Sequence, residues 1–214
     1  MSSPHIEIDP AILYFGTPVA LLSTIDSGGR SNLAPMSSIF WLGHTAVLGM
    51  GARSQTAANL ASTGKVVINL PSVELVDVVD RLALTTGRDP VHPLKEEAGY
   101  RHVPDKFAHA GVTPIGETES QPPRVAECPV ALHGEVIGES PLGSLRPEEE
   151  GGASIFQVGI THVSVHDSVR DAAHPARVDP DRWRPLIMSF QKFYGLTGQV
   201  HPSRLATIDE EWYR

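Results

Sequence analysis

Two short segments of this sequence contain residue types that could bind an anionic ligand. In the segment from Gly49 to Asn59, a glycine-containing strand end leads through Arg53 and Ser54 into an alanine-rich run. Ser54 is a typical N-cap residue, so the run predicts a helix that begins at this point. Because the first amides of a helix lack internal partners and its dipole is positive there, such a turn favours a phosphate group.

The side chains around this predicted helix start add further donors. Arg53 offers a fixed fork of N–H groups that suits phosphate oxygens, and Ser54 and Thr56 add hydroxyls. Each residue also has a simpler interpretation, since Ser54 could only cap the helix and Arg53 could be one more surface charge. The glycine patterns of Rossmann and P-loop sites are absent from the sequence, so neither kind of site is predicted.

The other segment, from Asn32 to Phe40, consists mainly of small residues with one proline, and it follows a predicted strand. These residues predict a bend at Pro35, where backbone amides could face a flat heterocycle rich in acceptors. Taken singly, either segment is explained by local structure. The two segments together favour a binding site.

Other chemistries have weaker support in the sequence. His162 and His166 are four residues apart on a predicted strand and could face one side, but no third ligand follows and HExxH is absent, so we expect no metal site. No GxSxG frame indicates a hydrolase. His109 and His133 are candidates for the lining of a ligand pocket, although core or solvated histidines are the favoured interpretation.

Short apolar runs separated by turn residues predict a mainly β structure with peripheral helices. A strand over 17–24 and a return strand over 31–38 flank the turn sequence 26–29, which is typical of a hairpin. Further strands are predicted over 46–50, 65–70, 129–137 and 156–165, with an exposed hairpin tip over 147–152. This arrangement indicates an antiparallel barrel or sandwich.

Helices are predicted at four places around these strands. One spans 54–64 and ends at Gly64, and a second begins at Ser72 with an apolar stripe of Val73, Val76, Val79 and Ala83. The proline-rich segment 85–127 predicts short helices, one near 104–110, and a stretch draped over the barrel mouth. From Asp179 onward, the spacing of the apolar residues predicts a docked helix in a C-terminal tail, about 179–214, of a single domain over 1–214.

Composition limits the function classes further. The chain has 214 residues, 41% of them hydrophobic and 20% charged, with a formal net charge of −8. Such a charge offers no footprint for nucleic acid, and no run is long and apolar enough to cross a membrane. The single cysteine, Cys128, fits a reducing compartment and reads as a small buried apolar residue. Without a signal-like N-terminus, a cytoplasmic location is expected.

The order and spacing of several motifs resemble the flavin reductase-like, FMN-binding split-barrel family. The motifs are NLAPMSSIF, RSQTAANL followed by VVINLP, AHAGVTP and ECPVALHGEV, and the Trp183–Ile187 stretch resembles the C-terminal part of one branch. Together they cover about 13–196. The resemblance departs from the family at Ser54, where members often have Lys or Asp.

The resemblance implies a split β-barrel that forms a homodimer and binds FMN near the subunit interface. Carried onto this sequence, the residues that would line the isoalloxazine and ribityl chain are Asn32, Ala34, Pro35, Ser37, Ser38 and Ile39. Those that would hold the phosphate and nearby hydroxyls are Arg53, Ser54, Thr56 and Asn59. No catalytic side chain is assigned, because hydride transfer to flavin needs geometry and amide donors more than a nucleophile.

Three functions stay open at this point. The first is an FMN-dependent oxidoreductase that takes hydride from NADH or NADPH and passes electrons to free flavin, for a partner monooxygenase, or to another small molecule. The second is an FMN protein that acts on a dedicated organic substrate, with 85–127 as a lid. The third is a flavin-binding or carrier protein without turnover.

Overall fold

A seven-stranded antiparallel sheet forms the centre of the protein in the computed structural model, which describes residues 4–116, 118, 120–145 and 152–213. The strands of the protein are β1 (Phe15–Pro18), β2 (Ala20–Ile25), β3 (Ser31–Met36), β4 (Ile39–Leu42), β5 (Thr45–Gly51), β6 (Lys65–Leu70), β7 (Thr85–Thr86), β8 (Arg101–His102), β9 (Pro114–Ile115), β10 (Arg124–Val125), β11 (Val130–Pro141), β12 (Ala153–Val165), β13 (Leu186–Ser189) and β14 (Lys192–Gly195). The strand order of the large sheet is β3-β2-β6-β11-β12-β5-β4. A three-stranded sheet of order β1-β13-β14 and two small two-stranded sheets, β10-β9 and β7-β8, lie outside it.

The connection between β3 and β4 makes the large sheet curl. These two strands lie at opposite edges of the sheet, yet only Ser37 and Ser38 separate them in sequence. Two residues span a few ångströms, so the edges must approach each other. No ladder joins β3 to β4 in the described part of the chain, and the curled sheet is therefore a split barrel.

Both faces of the curled sheet are buried at β2 and β6, which explains the nearly continuous apolar runs of these two strands. Along β2, Ala20 and Leu22 belong to a core inside the curl, whereas Leu21 packs in a second core on the outer face. Phe156 and Leu48 also fill the inner core, and both are fully buried. Each face therefore needs its own cover, which the helices supply.

Two helices cover the sheet as the sequence predicts. The helix α1 (Gln55–Thr63) is capped by Ser54, whose side chain accepts from the Ala57 amide, and ends at Gly64 with φ 68°. A 3-10 turn (Val73–Leu75) leads into α2 (Val76–Leu82). The buried residues of α2 are Val78, Val79 and Leu82. Of the predicted stripe, Val79 is in the outer core and Val73 and Val76 pack against it half-buried, whereas Ala83 is exposed.

The predicted bend at Pro35 lies two residues further along. Pro35 is inside β3, paired with Leu21, and an edge strand tolerates proline because one side needs no amide donor. The chain turns at Ser37 and Ser38 instead. The predicted return strand therefore ends at Met36, and β4 after the turn was not predicted.

The docked helix predicted after Asp179 is wrong, because this stretch forms the hairpin β13–β14. Its turn residues Phe190 and Gln191 have φ of 45° and 63°, which glycine or asparagine would normally supply. The N-terminal segment holds this turn. The Phe190 amide donates to the Tyr14 carbonyl at 2.9 Å, and the Phe15 and Phe190 rings meet edge to face at 4.8 Å.

Short elements occupy the proline-rich segment as predicted, among them α3 (Pro93–Glu97) and α4 (Lys106–Ala110). Buried Asn69 of β6 ties this segment to the sheet. Its Oδ1 accepts from the Val125 amide at 2.7 Å, and its Nδ2 donates to the Leu21 carbonyl at 3.0 Å. The hairpin β11–β12 is confirmed, whereas residues 147–151 of its predicted tip lie outside the described residues. In the described ranges, no helix has the length and apolarity to cross a membrane.

Candidate functional site

A cleft of about 650 Å³ lies where the two chemically informative segments meet. Its floor, as we call residues 34–38 and 49–56, is formed by the end of β3, the turn after it, the end of β5 and the start of α1. Ala34, Pro35, Ser37, Ser38, Ser54 and Thr56 all line it. The volume is in the usual range for small-molecule sites, about 300–1,000 Å³.

The start of α1 presents free donors to the floor. Because Ser54 satisfies the Ala57 amide, the amides of Gln55 and Thr56 are left without a partner inside the helix. Arg53 is exposed beside them, with Nη1 3.2 Å from His92 Nε2. Arg88, which the sequence did not suggest, donates from Nε to the Arg53 carbonyl at 3.1 Å. Two guanidinium groups therefore flank the helix start.

The predicted residues Asn32 and Asn59 lie behind this floor, in a smaller polar pocket of about 290 Å³. Asn32 Nδ2 donates to Thr56 Oγ1 at 3.3 Å, and its buried Oδ1 has no hydrogen-bond partner within the described chain. Asn59 already uses both ends of its amide, accepting from Gln55 and donating to Thr24. Asn32 is thus the one of the two with an acceptor still to offer.

Ile39 differs from the other predicted residues. Its side chain is 4% exposed and belongs to the inner core, so only its backbone could meet a ligand. Ser38, one residue earlier, is held from two sides. Its carbonyl accepts from the Gly49 amide at 2.9 Å, and its hydroxyl is 2.5 Å from the Tyr14 hydroxyl. The turn that the ligand would approach is therefore fixed in place.

One side of the cleft comes from the two chain ends. Tyr14 precedes β1, Met188 lies on β13 and Phe193 on β14, and all three line the cleft. No local pattern in the sequence predicts this contribution, because the hairpin turn contains neither glycine nor asparagine.

The opposite side, which we call the wall segment, comprises residues 83–106. Ala83, Thr85, Lys95 and Tyr100 of this segment line the cleft, and the Lys95 ammonium lies 5.1 Å from the centre of the Tyr100 ring. At the end of this segment, Lys106 is buried and donates to the Thr85 carbonyl at 3.3 Å. Its burial, and then the nearby charge of Lys95, lower the pKa of Lys106 to about 8.

The histidines considered from the sequence do not line the cleft. His109 Nε2 is 3.1 Å from the Arg81 carbonyl oxygen, and His166 Nε2 is 2.9 Å from that of Ala126. His133 faces His162 across β11 and β12, with ring centres 5.4 Å apart, and its pKa is lowered by burial and by His162. Among the described residues, no cluster of three potential metal ligands occurs. Buried Cys128 has a raised pKa because burial disfavours the thiolate.

The donor set of the cleft fits a phosphorylated flavin. Apolar residues such as Ala34, Pro35 and Met50 could contact a flat ring, and the hydroxyls of Ser37 and Ser38 stand beside them. The amides at the start of α1 suit a phosphate, and the unpaired Asn32 oxygen in the neighbouring polar pocket is a further acceptor. The cleft therefore has residues suited to the ring and to the phosphate of such a ligand.

Comparisons with known proteins show the family of the chain. A family model for the flavin reductase like domain matches residues 12–197. The uncharacterized protein YdfE of Bacillus subtilis (strain 168) is 34% identical over 196 residues, which make up 91% of this chain and 90% of that protein.

Two solved structures share the fold. Flavoredoxin of Desulfovibrio vulgaris (Miyazaki F) superposes with a TM-score of 0.73 at 20% identity, over 96% of this chain and 100% of flavoredoxin. Nitrilotriacetate monooxygenase component B from Bacillus cereus gives a TM-score of 0.71 at 16% identity, over 94% of this chain and 100% of that one. The chain therefore belongs to the flavin reductase-like family, and the split-barrel fold expected from its motifs is confirmed.

Proposed function

We propose that this protein is an FMN-dependent oxidoreductase that takes hydride from NADH or NADPH. The observation that carries the proposal is the single cleft in which the turn at Ser37–Ser38 meets the start of α1. A phosphate at the helix start and a ring beside the turn are the two ends of one FMN molecule. The family membership of the chain supports the same cofactor class.

The proposed roles of the residues follow from their positions. Arg53 and the free amides of Gln55 and Thr56 hold the phosphate, Ser54 fixes the helix start, and Asn32 accepts from a hydroxyl of the ribityl chain. Ala34 and Pro35 pack on the ring, and Ser37 and Ser38 contact its polar edge. Ile39 contributes backbone only. Asn59 acts by orienting Gln55 at 2.7 Å.

When bound, FMN supplies a ring nitrogen that accepts the hydride, so that the nicotinamide is oxidised and both electrons stay on the flavin. The protein needs no nucleophile for this step. Its part would be to position the ring beside the hydroxyls of Ser37 and Ser38 and to leave room for the nicotinamide. Tyr14 aids this by fixing the Ser38 hydroxyl.

The test is a spectroscopic assay on purified protein. We expect a yellow protein after incubation with FMN, and FMN-dependent loss of the nicotinamide absorbance band when NADH or NADPH is added. The matched control is the same mixture without protein. Tight FMN binding with no reduction by either nicotinamide would instead identify a flavin carrier, and no FMN binding would remove the proposal.

A second candidate function is turnover of a dedicated small substrate by the bound flavin. The wall segment favours it, because Lys95 and Tyr100 bring a cation and an aromatic ring into the cleft. Neither residue belongs to the floor, to which the flavin is assigned. It predicts slow reduction of free flavin and a spectral shift when the substrate binds. Fast release of reduced flavin to a partner monooxygenase would favour the first candidate.

We further propose a homodimer in the cytoplasm. The edge strand β4 leaves Phe40 57% and Leu42 79% exposed, and an apolar sheet edge is normally covered. Light scattering after gel filtration should give twice the monomer mass. Leu42→Asp should shift that mass toward the monomer, whereas Leu205→Asp on a distant exposed turn should not.

A further inference from the structure

The charge distribution inside the cleft differs from that of the whole chain. The chain has a formal net charge of −8, yet among the described residues that line the cleft only Lys95 carries a charge, and it is positive. No carboxylate faces it there. A ligand group opposite Lys95 is therefore more stable if it is an anion.

The ammonium of Lys95 contacts the face of the Tyr100 ring, which carries no negative charge to neutralise it. Within the described chain, no acceptor atom is hydrogen-bonded to it. An ammonium has three donors, and all three are available to a ligand in the cleft.

A second ammonium lies on the same side. Lys106 is 3% exposed and has one acceptor, the Thr85 carbonyl at 3.3 Å, while Thr85 itself lines the cleft. The charge of Lys95 is close enough to lower the pKa of Lys106. Two like charges close together disfavour each other, and an anion bound beside them lowers that cost.

The other residues that line the cleft indicate the chemistry of the rest of the ligand. Val79, Ala83, Met188 and Phe193 give the cleft apolar sides, and the Tyr100 ring adds an aromatic face. The cleft thus suits a small apolar body with one negative group. The phosphate of the flavin has its own donors at the start of α1, with Arg53 and Arg88 beside them.

We propose that Lys95 binds the carboxylate of a small organic acid, which shares the cleft with the flavin as its second ligand. This inference rests on the proposed function, because it assigns the substrate class of the same site. Lys95 determines specificity by charge, and Lys106 adds to the positive potential from behind the Thr85 carbonyl.

The experiment uses benzoate as the probe and benzamide as its uncharged counterpart, titrated by calorimetry into the protein with and without FMN. We expect benzoate to bind more tightly than benzamide. Lys95→Met should weaken benzoate about tenfold or more and leave benzamide unchanged. Lys95→Arg should retain most of the benzoate affinity, and Lys192→Met, at an exposed position on β14, should change nothing.

Several results would overturn the inference. One is equal affinity of benzoate and benzamide for the wild-type protein. Another concerns the Lys95→Met variant, once circular dichroism shows that it is folded. The result would be unchanged binding of benzoate and riboflavin together with weaker binding of FMN. That pattern would place the flavin phosphate at Lys95. The titration without FMN does not depend on flavin binding. Failure of the cofactor proposal can therefore be distinguished from failure of the proposal for Lys95.

Discussion

The floor and the wall segment of the cleft are built in different ways. The floor is continuous with the inner core, where Leu48 and Phe156 are fully buried and strand pairing fixes each residue. The wall segment consists of short elements, β7, α3 and β8, and contributes charged and half-exposed side chains such as Lys95 and Tyr100. A rigid floor suits a cofactor common to a family, and a separately folded wall can change its ligand without disturbing that floor.

The largest expected effect tests whether stability resides in the inner core beneath the floor. Phe156→Ala removes a fully buried ring from the inner core, and we expect the free energy of unfolding to fall by about 3–5 kcal/mol. Tyr100→Ala, in the wall segment, should cost no more than about 1 kcal/mol. Urea unfolding followed by circular dichroism measures both. Equal losses of unfolding free energy in the two variants would show that Tyr100 contributes as much to stability as Phe156 does.

The next prediction tests whether the buried charge of Lys106 in the wall segment lowers the free energy of unfolding. Its pKa is about 8 in the folded protein and 10.5 ordinarily, so below pH 8 the folded state bears the full penalty of a buried cation. Between about pH 8 and 10.5 the folded protein has lost this proton while the unfolded chain still holds it. The free energy of unfolding therefore rises with pH in this range.

Lys106→Met keeps the buried stem and removes the charge. We expect it to raise the free energy of unfolding at pH 7 by at most about 3 kcal/mol, and to lose most of this advantage by pH 10. Urea titrations at both pH values give the difference, in which other titrating groups cancel. The exposed Lys192→Met is the control. A variant less stable than wild type at both values would show that the bond to Thr85 outweighs the burial cost.

The next prediction asks whether the start of α1 holds the cofactor. Arg53→Ala should weaken FMN binding by about 1.5–3 kcal/mol, the range for hydrogen bonds to charged groups. Riboflavin, which lacks the phosphate, should bind equally to both proteins. Quenching of flavin fluorescence gives the affinities, and the exposed Arg204→Ala serves as the control. Unchanged FMN affinity would remove Arg53 from the site.

The smallest effect separates capping from ligand binding at Ser54. Ser54→Ala removes the acceptor of the Ala57 amide, and we expect a loss of about 1 kcal/mol in stability. Ser54→Thr should retain the cap. If Ser54 also faces the phosphate, FMN affinity should fall in the alanine variant and recover with threonine. Loss of stability without loss of affinity would leave Ser54 with the structural role alone.

Much of the large sheet and of α1 could be predicted from the sequence because the signals for these elements are local. The cap at Ser54 and the glycine at Gly64 delimit α1, and the run 65–70 coincides with β6. The turn at 26–29 closes on itself, with Asp26 Oδ1 accepting from the amides of Gly28 and Arg30. Such contacts involve neighbours in the chain, so residue types alone indicate them.

The C-terminal hairpin shows where local signals mislead. Trp183, Leu186, Ile187, Phe190 and Tyr194 are spaced like one face of a helix, and the turn between β13 and β14 has no typical turn residue. Contacts of Ser189 and Phe190 with Tyr14 and Phe15, some 175 residues earlier, anchor this turn. Pairing with β1 decides this structure, and no local pattern reports it.

The sequence by itself determined the family motifs, the cap of α1, most strands of the barrel and the residue types of the floor. The tertiary structure alone decided that the turn at Ser37–Ser38 lies beside that helix, because the sheet has to curl before its edges meet. It also decided that Lys95 is the charged residue that lines the described cleft. Which side chains share a cavity depends on long-range packing, and the charge of a ligand site is set by that packing.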